Sequence, residues 1–248
     1  MNPRHTADFS VHLHHVGPAG RAGPGLFFDC FQDAASLQSA GLGFSIRKLI
    51  DKGLTWVVAR YRMDVFQYPR WQARIRVTTW RSPQQGHTAP REFEVTDKDG
   101  RLLAIAQGQF ILLDRAAHRP VSPSDHLPGY PIADETVFEN EFTAIPQMRS
   151  PEAERWIQVR REDMDLNRHV NNTRYITFAM ESVPLEIYRA CTPEHIQVVF
   201  KKAAVAGDTI RSQIQREPAR QPFFVHRLAD SSGRTEYARL ETRWRPWG

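Results

Sequence analysis

The stretch DMDLNRHVNNTRYITFAM (residues 163–180) changes character in its middle. Its first ten positions hold two aspartates, three asparagines and a histidine; its last six, YITFAM, are apolar nearly all round. A helix without a polar face has to be enclosed, and the structure that encloses a single helix is a curved antiparallel sheet. The polar half is then the corner where the chain leaves a strand and enters that buried helix. Asn and Asp suit such a place, since their short side chains hydrogen-bond nearby backbone.

The flanking sequence supplies the sheet. WIQVRRED (156–163) precedes the corner as a strand, and the helix runs over NTRYITFAMES (172–182). HIQVVFKKA, DTIRSQIQ, PFFVHRLAD and RTEYARLETRW follow as strands, the last two joined by the turn DSSG at 230–233. The same order occurs earlier in the chain. GLFFDCFQDAASLQSA (25–40) places Leu26, Phe27, Phe31, Ala34 and Ala35 at helical spacing and stops at Gly41 and Gly43. LTWVVARYRMDVF (54–66), ARIRVTTW (73–80), REFEVTD (91–97) and RLLAIAQGQFILLD (101–114) then read as strands, with DKDG (97–100) as the hairpin turn. Between the halves, residues 115–155 carry six prolines and no periodicity. The expected architecture is α+β and doubled: a first sheet-wrapped helix over 1–125, a linker over 126–154, and a second over 155–248.

The two corners differ in chemistry. The first reads HHVGPAGRAGPGLFF (14–28), glycine and proline; the second reads REDMDLNRHVNNTRY (161–175), carboxylate, amide and imidazole. The first has only to turn, so the active site is expected at the second.

Composition limits the chemistry. The 248 residues, 41% hydrophobic and 25% charged, suffice for a real core, and no apolar run approaches the roughly 20 residues that span a bilayer. The opening MNPRHTADFSVHLHH lacks the pattern of a secretory signal, and Cys30 and Cys191 form no CxxC pair, so a reduced, cytoplasmic setting is expected, without disulfides. Of the 33 basic residues 28 are arginine, against 28 acidic residues, which favours phosphate- or carboxylate-bearing partners. The arginines form no basic block and no nucleic-acid-binding motif is present, so nucleic acid is not expected as a partner, nor is a membrane. His12, His14 and His15 lack accompanying carboxylate or cysteine ligands; they read as surface strand histidines, and no metal or cofactor is expected. Cys30 falls among apolar helix positions and reads as core.

The pattern D-x-N-x-H-V-N-N (165–172), with the apolar helix ending in Glu-Ser, resembles the signature of the plant- and bacterial-type acyl-acyl carrier protein thioesterases. FQDAASLQSAGLG (31–43), GLTWVVARYRMDVFQYPRW (53–71), VTTWRSP (77–83) and FILLDRAAHRPV (110–121) resemble that family's first-domain motifs in order, and the likeness covers about residues 8–245. The resemblance implies two tandem hot-dog domains, an acyl chain held in the first near Phe27, Phe28, Phe31 and Trp56, and hydrolysis of fatty acyl-acyl carrier protein at the second. It carries the family's catalytic aspartate, asparagine and histidine onto Asp165, Asn167 and His169. The family's glutamate falls on Ala203, and the cysteine that plant members carry next to it falls on Ala204.

Three groups still make coherent chemistry. Asp165 can take a proton from water, Asn167 can orient the water or the carbonyl, and His169 can pass a proton. The N–H groups of Val170, Asn171 and Asn172 are candidates for an oxyanion site, with helix capping by the two asparagines as the other reading. Glu181 is a candidate substitute carboxylate, or a structural residue at the helix end. Three functions fit: a thioesterase acting on an acidic acyl carrier protein, one acting on acyl-CoA, and a non-hydrolytic acyl-thioester-binding protein lacking the glutamate at Ala203. Homodimerisation and chain-length preference stay open.

Overall fold

The computed structural model describes residues 2–218 and 221–247. It divides into two compact units: residues up to Tyr61 with Phe66–Glu141, and Arg62–Val65 with Phe142 onward.

In the first unit β1 (His5–Ser10) leads through a 3-10 turn at Leu13–His15 into α1 (Gly25–Gly41) and the short α2 (Ile46–Asp51). Then come β2 (Leu54–Val65), β3 (Arg74–Arg81), β4 (Thr88–Asp97), β5 (Leu102–Asp114), β6 (Arg119–Val121) and the one-turn α3 (Pro123–His126). The sheet order is β1-β3-β4-β5-β2, with β6 on β5. In the second unit β7 (Ala153–Gln158) leads through a 3-10 turn at Arg161–Asp163 into α4 (Asn172–Met180) and the short α5 (Leu185–Ala190). β8 (Cys191–Phe200), β9 (Thr209–Glu217), β10 (Phe223–Asp230) and β11 (Glu236–Pro246) follow, in the order β7-β9-β10-β11-β8. The two orders correspond strand for strand, and the strands pair antiparallel within each unit.

Burial explains the wrapping. Along α1, Leu26, Phe27, Phe28, Cys30, Phe31, Ala34 and Gln38 are buried; along α4, Thr173, Tyr175, Ile176, Phe178, Ala179 and Met180 are buried, so only Thr177 in the last turns is exposed. Each large apolar side chain so enclosed contributes about 1.5–3 kcal/mol. Phe27, Phe28, Phe31, Tyr61 and Phe93 meet as one aromatic cluster with ring centroids 4.5–6.5 Å apart. Gly108 faces this cluster: a Cβ there would lie 2.5 Å from the Tyr61 ring, so the close approach of β5 requires glycine. Both hairpin turns use one device. Asp97 Oδ1 accepts the N–H groups of Asp99 and Arg101, and Asp230 Oδ1 accepts that of Arg234, with Gly100 and Gly233 at positive φ.

Four expectations are corrected. The strand expected over 156–163 is Ala153–Gln158, because residues 161–163 coil into the 3-10 turn that Asp163 caps. The strand β1, absent from the sequence reading, pairs along β3 from His5 to Ser10. His14 and His15 lie in a 3-10 turn, with His12 at its start, and not on a strand; their rings contact one another, at 4.1 Å between His14 and His15. The proline-rich stretch read as a linker, although without periodicity, is fastened by hydrogen bonds. The Trp80 indole donates to the Glu135 carbonyl, and the Val137 N–H to Glu92, in the first unit; in the second, Gln197 donates to the Thr143 carbonyl and Gln215 accepts the Arg149 and Ser150 N–H groups.

One ionic cluster in the second unit gives stability a pH dependence. His195 Nδ1 lies 2.5 Å from Asp64 Oδ1, and its Nε2 lies 3.6 Å from Glu241, with the imidazole mostly buried. Burial opposes protonation, but the hydrogen bond to Asp64 and the nearby Glu241 carboxylate outweigh it and the nearby Arg243, so the pKa is raised. A raised folded pKa means that the native state holds the proton longer than the unfolded chain. The contribution is therefore complete below about pH 6.5 and is lost as pH rises through the folded value, with a slope of at most about 1.4 kcal/mol per pH unit. Denaturant melts of wild type and His195→Gln between pH 5.5 and 9 should show this fall in wild type and its loss in the variant; parallel curves would contradict it.

Candidate active site

The second corner is held at both ends by buried polar contacts. Asp163 is fully buried, and its Oδ2 accepts the Arg160 backbone N–H at 2.8 Å while the Arg160 guanidinium reaches both carboxylate oxygens at 3.3–3.4 Å. Its main-chain carbonyl accepts the Asn171 N–H at 2.8 Å, tying the exit of the strand to the start of α4. Between these anchors the chain makes a tight loop. An isolated bridge pairs Met164 with Val170, the Asp165 N–H donates to the His169 carbonyl at 2.7 Å, and Arg168 takes the left-handed conformation at φ 61°.

Asp165 organises the loop. Its Oδ1 accepts the N–H groups of Asn167 (2.7 Å) and His169 (3.3 Å), a side-chain-capped turn of the kind aspartate favours. Its Oδ2 meets only the Asn167 amide, at 3.5 Å. One oxygen is committed to the backbone, while the other has only this longer contact among the described residues. Asp165 and Asn167 are half-buried and His169 is exposed, so the loop brings the three expected residues together at an accessible edge.

The oxyanion expectation fails for two of its three residues. The Val170 N–H donates to the Ala204 carbonyl at 2.9 Å and the Asn171 N–H to Asp163, so neither is available to a substrate in this arrangement. Asn171 caps α4, its Oδ1 accepting the Thr173 N–H, and Asn172 is the first helical residue. Ala204 is fully buried and its N–H donates to the Tyr175 hydroxyl at 2.8 Å; Ala203, beside it, is exposed. Glu181 is exposed at the C-terminal end of α4, a whole helix away from the loop. Asp163 was missed as a site residue because RED reads as the end of a strand; the signal that could have found it is the capping pattern of an acid three residues after Arg160.

The first corner repeats this backbone. Val16 bridges Ala22, the Gly17 N–H donates to the Arg21 carbonyl, Gly20 stands at φ 70°, the Gly23 N–H donates to the His15 carbonyl, and the Ala22 N–H to the Pro69 carbonyl. The His12 N–H even donates to His15 Nδ1, as the Arg160 N–H does to Asp163. Gly17, Ala19 and Arg21 thus occupy the places of Asp165, Asn167 and His169. The turn needs none of the three side chains.

Of the residues expected at the acyl chain, Phe27, Phe28 and Phe31 lie in the aromatic cluster with at most 2% exposure, and Trp56 is half-buried with its ring against Phe110. Cys30 is buried, its thiol pushed up to about 12 by burial and the nearby Asp29 and Asp33, which keeps it protonated and inert at neutral pH. No cluster of three or more metal-ligating side chains occurs among the described residues.

Comparison with known proteins gives two family matches: the acyl-ACP thioesterase N-terminal domain over residues 3–127 and the C-terminal domain over 148–246. An acyl-[acyl-carrier-protein] hydrolase of Cuphea viscosissima is 24% identical over 259 residues, spanning 96% of this chain and 61% of its own length. An oleoyl-acyl carrier protein thioesterase of Arabidopsis thaliana is 25% identical, spanning 96% and 75%. This chain therefore spans about three fifths of the first of these relatives. In structure it is similar to a 12:0-ACP thioesterase from Umbellularia californica, with a TM-score of 0.88 at 21% identity over 100% of this chain and 99% of that one. It is likewise similar to an acyl-ACP thioesterase from Bacteroides thetaiotaomicron, with a TM-score of 0.87 at 22% identity over 98% of each.

The anchoring role of Asp163 is open to measurement. Asp163→Ala removes the buried carboxylate, leaves the Arg160 N–H without its acceptor and should cost about 1–3 kcal/mol, a drop of several degrees in melting temperature. Asp163→Asn keeps an acceptor and should lose less. Equal melting temperatures for wild type and Asp163→Ala would show that the corner does not depend on this contact.

Proposed function

Because the chain belongs to the acyl-ACP thioesterase family, we propose that it hydrolyses the thioester of a fatty acyl-acyl carrier protein, releasing the free fatty acid, and that Asp165, Asn167 and His169 do the chemistry. The observation that carries this reading is the pair of matching corners. The same main-chain loop closes over Gly17, Ala19 and Arg21, so the path of the second corner does not call for an amide or an imidazole, and of its carboxylate only Oδ1 accepts the turn's N–H groups.

The reaction follows from the loop. Water held by Asp165 Oδ2 gives up a proton to that oxygen as it attacks the thioester carbon, and the carbonyl oxygen gains the charge. The Asn167 side-chain amide, half-buried and beside Asp165, is the donor best suited to receive that charge, with the Asn172 N–H at the start of α4 as a second. As the tetrahedral intermediate collapses, the carbon–sulfur bond breaks and the thiolate takes a proton through His169, leaving a carboxylic acid and a thiol. The grip of two N–H groups on Asp165 Oδ1 keeps the carboxylate oriented throughout.

Around the loop Arg160, Arg161 and Arg168 are exposed and Arg174 is partly so, a cationic rim suited to an acidic carrier protein or the phosphate of its prosthetic arm. The acyl chain belongs in the first unit, beside Trp56. No helix among the described residues is long and apolar enough to cross a membrane. With two buried, unpaired cysteines, a reduced compartment such as the cytoplasm suits the chain. A non-hydrolytic, acyl-binding role is the second reading, favoured by Ala203 in the place of the family's glutamate.

Thiol release from acyl-carrier-protein and acyl-CoA thioesters of C4 to C18 tests both readings. Asp165→Asn keeps an acceptor for the turn and should fold normally yet lose about 100-fold or more in kcat. More than a tenth of the wild-type rate in the variant would exclude Asp165 as the base, and no release from any thioester by wild type would favour the second reading. Ala203→Glu is tolerated sterically because the residue is exposed. It should raise kcat or move the acidic limb of the pH–rate profile to higher pH, since two neighbouring carboxylates resist ionising together. A folded variant with an unchanged profile would place residue 203 away from the attacking water.

A further inference from the structure

Inside the first unit the buried guanidinium of Arg81 has an Nε without an acceptor. Arg81 ends β3 on the face that alternates inward, after Ile75, Val77 and Thr79, and only 4% of it is exposed. Its Nε is buried with no hydrogen-bond partner, and among the described residues no carboxylate pairs with it. What surrounds it is aromatic: the guanidinium carbon lies 4.8 Å from the Tyr130 ring centre and 5.8 Å from that of Trp56.

The nearest charge makes matters worse. Arg91, 5% exposed, donates to Gln38 Oε1 and the Tyr130 hydroxyl, each at 2.5 Å, and to Thr79. These acceptors are all neutral, so two cations share Tyr130 without an anion between them. Glu92, the adjacent buried carboxylate, is engaged by Ser82, Gln107 and the Val137 N–H. Burial, reinforced by Arg91, pulls the Arg81 pKa down to about 10, yet the group stays cationic at neutral pH. A buried charge is ordinarily paired, and a guanidinium is shaped to take a carboxylate through two parallel hydrogen bonds.

The surroundings say what should carry that carboxylate. Tyr130 belongs to an apolar cluster with Leu49, Leu54, Leu112 and Leu127, against which Phe44 and Trp56 pack. Phe44 and Leu49 also line a surface cleft of about 390 Å³ whose remaining walls are Gly43, Lys48, Asp51 and Lys52, two cations to one acid. Phe44 stands between the two, its ring 5.9 Å from that of Tyr130. Aliphatic walls with lysines outside and an unpaired guanidinium within fit a chain ending in an acid. We propose that the first unit contains a binding site for an aliphatic carboxylate, with Arg81 as its anchor and the Phe44–Tyr130–Trp56 aromatic wall around it.

The carboxylate has two sources, the far end of an ω-carboxyacyl chain or the head of a free fatty acid, and only the first rests on the hydrolytic function proposed above. The Arg81 Nε–H resonance, followed in ¹⁵N-labelled wild type during titration with octanoate, should move on binding, whereas octanol should leave it in place. Titration calorimetry should show octanoate affinity falling at least about tenfold in Arg81→Met, with Arg81→Lys in between. An unmoved Arg81 resonance at saturating octanoate, or equal affinity in a folded Arg81→Met, overturns the site. The resonance test needs no variant, so a misfolded Arg81→Met does not leave the question open. Thiol release from octanoyl and 7-carboxyheptanoyl carrier-protein thioesters then assigns the source. A preference for the carboxylated chain that disappears in Arg81→Met points to the substrate; equal rates, with inhibition by free octanoate that needs Arg81, point to the free acid. Octanoate binding at Arg81 without any thiol release would leave this site standing while removing the proposed hydrolysis.

Discussion

A helix buried on nearly every side cannot be packed against a flat layer; it has to be surrounded. α4 is such a helix, and α1 buries a broad apolar face while Asp29, Gln32, Asp33 and Leu37 stay exposed; the rest of each unit answers to that burial. Four long strands and one short one curve round the helix in each unit, with the three-residue β6 added on β5 in the first, and the strand order is otherwise the same because the same enclosure is being solved. Where a side chain on the sheet is too large the sheet gives way, as at Gly108, where the Tyr61 ring leaves no room for a Cβ. Where the chain enters the helix, the turn must be tight and its N–H groups must find acceptors close by.

That last requirement shapes the candidate site. In both corners the entry turn is built from main-chain hydrogen bonds: Asp165 to His169 and Asn171 to Asp163 in one, Gly17 to Arg21 and Gly23 to His15 in the other. A turn fixed by the backbone leaves its side chains free. In the first corner Gly17, Ala19 and Arg21 occupy these positions; in the second a carboxylate, an amide and an imidazole do. The same economy removes two donors from service. The Val170 and Asn171 N–H groups, which a helix start might be expected to offer a ligand, are spent on Ala204 and Asp163 to hold the helix in place.

The interior of the first unit shows the limit of treating a core as oil. Around Tyr130 it holds Gln38, Arg81, Arg91 and, nearby, Glu92, all at most 5% exposed. Most of these polar groups satisfy one another through Thr79, Ser82, Gln107 and Tyr130, as buried polar groups must. Such a network fixes the far end of α1 against β3 and β4 through directional contacts that apolar packing would not supply.

The sequence by itself determined the class and doubling of the fold, since periodicity reports which faces are apolar and the two halves repeat the same order of elements. It located both hairpin turns through Asp and Gly, and it pointed to the second corner, because DLNRH in a place where GPAGR also suffices is a chemical signal that survives without coordinates. Tertiary structure alone decided the rest. β1 is six residues of unremarkable pattern that become a strand only because β3 offers an edge, and the 3-10 turn at 161–163 exists because the Asp163 carboxylate is buried beside the Arg160 N–H. The pairing of His195 with Asp64 spans 131 positions, and the Arg81 Nε lacks an acceptor among the described residues that the fold packs around it. Local patterns record the preferences of a segment for water or core. Whether a donor finds an acceptor, or a charge its partner, depends on residues brought near by the fold from far along the chain, and no local pattern carries that information.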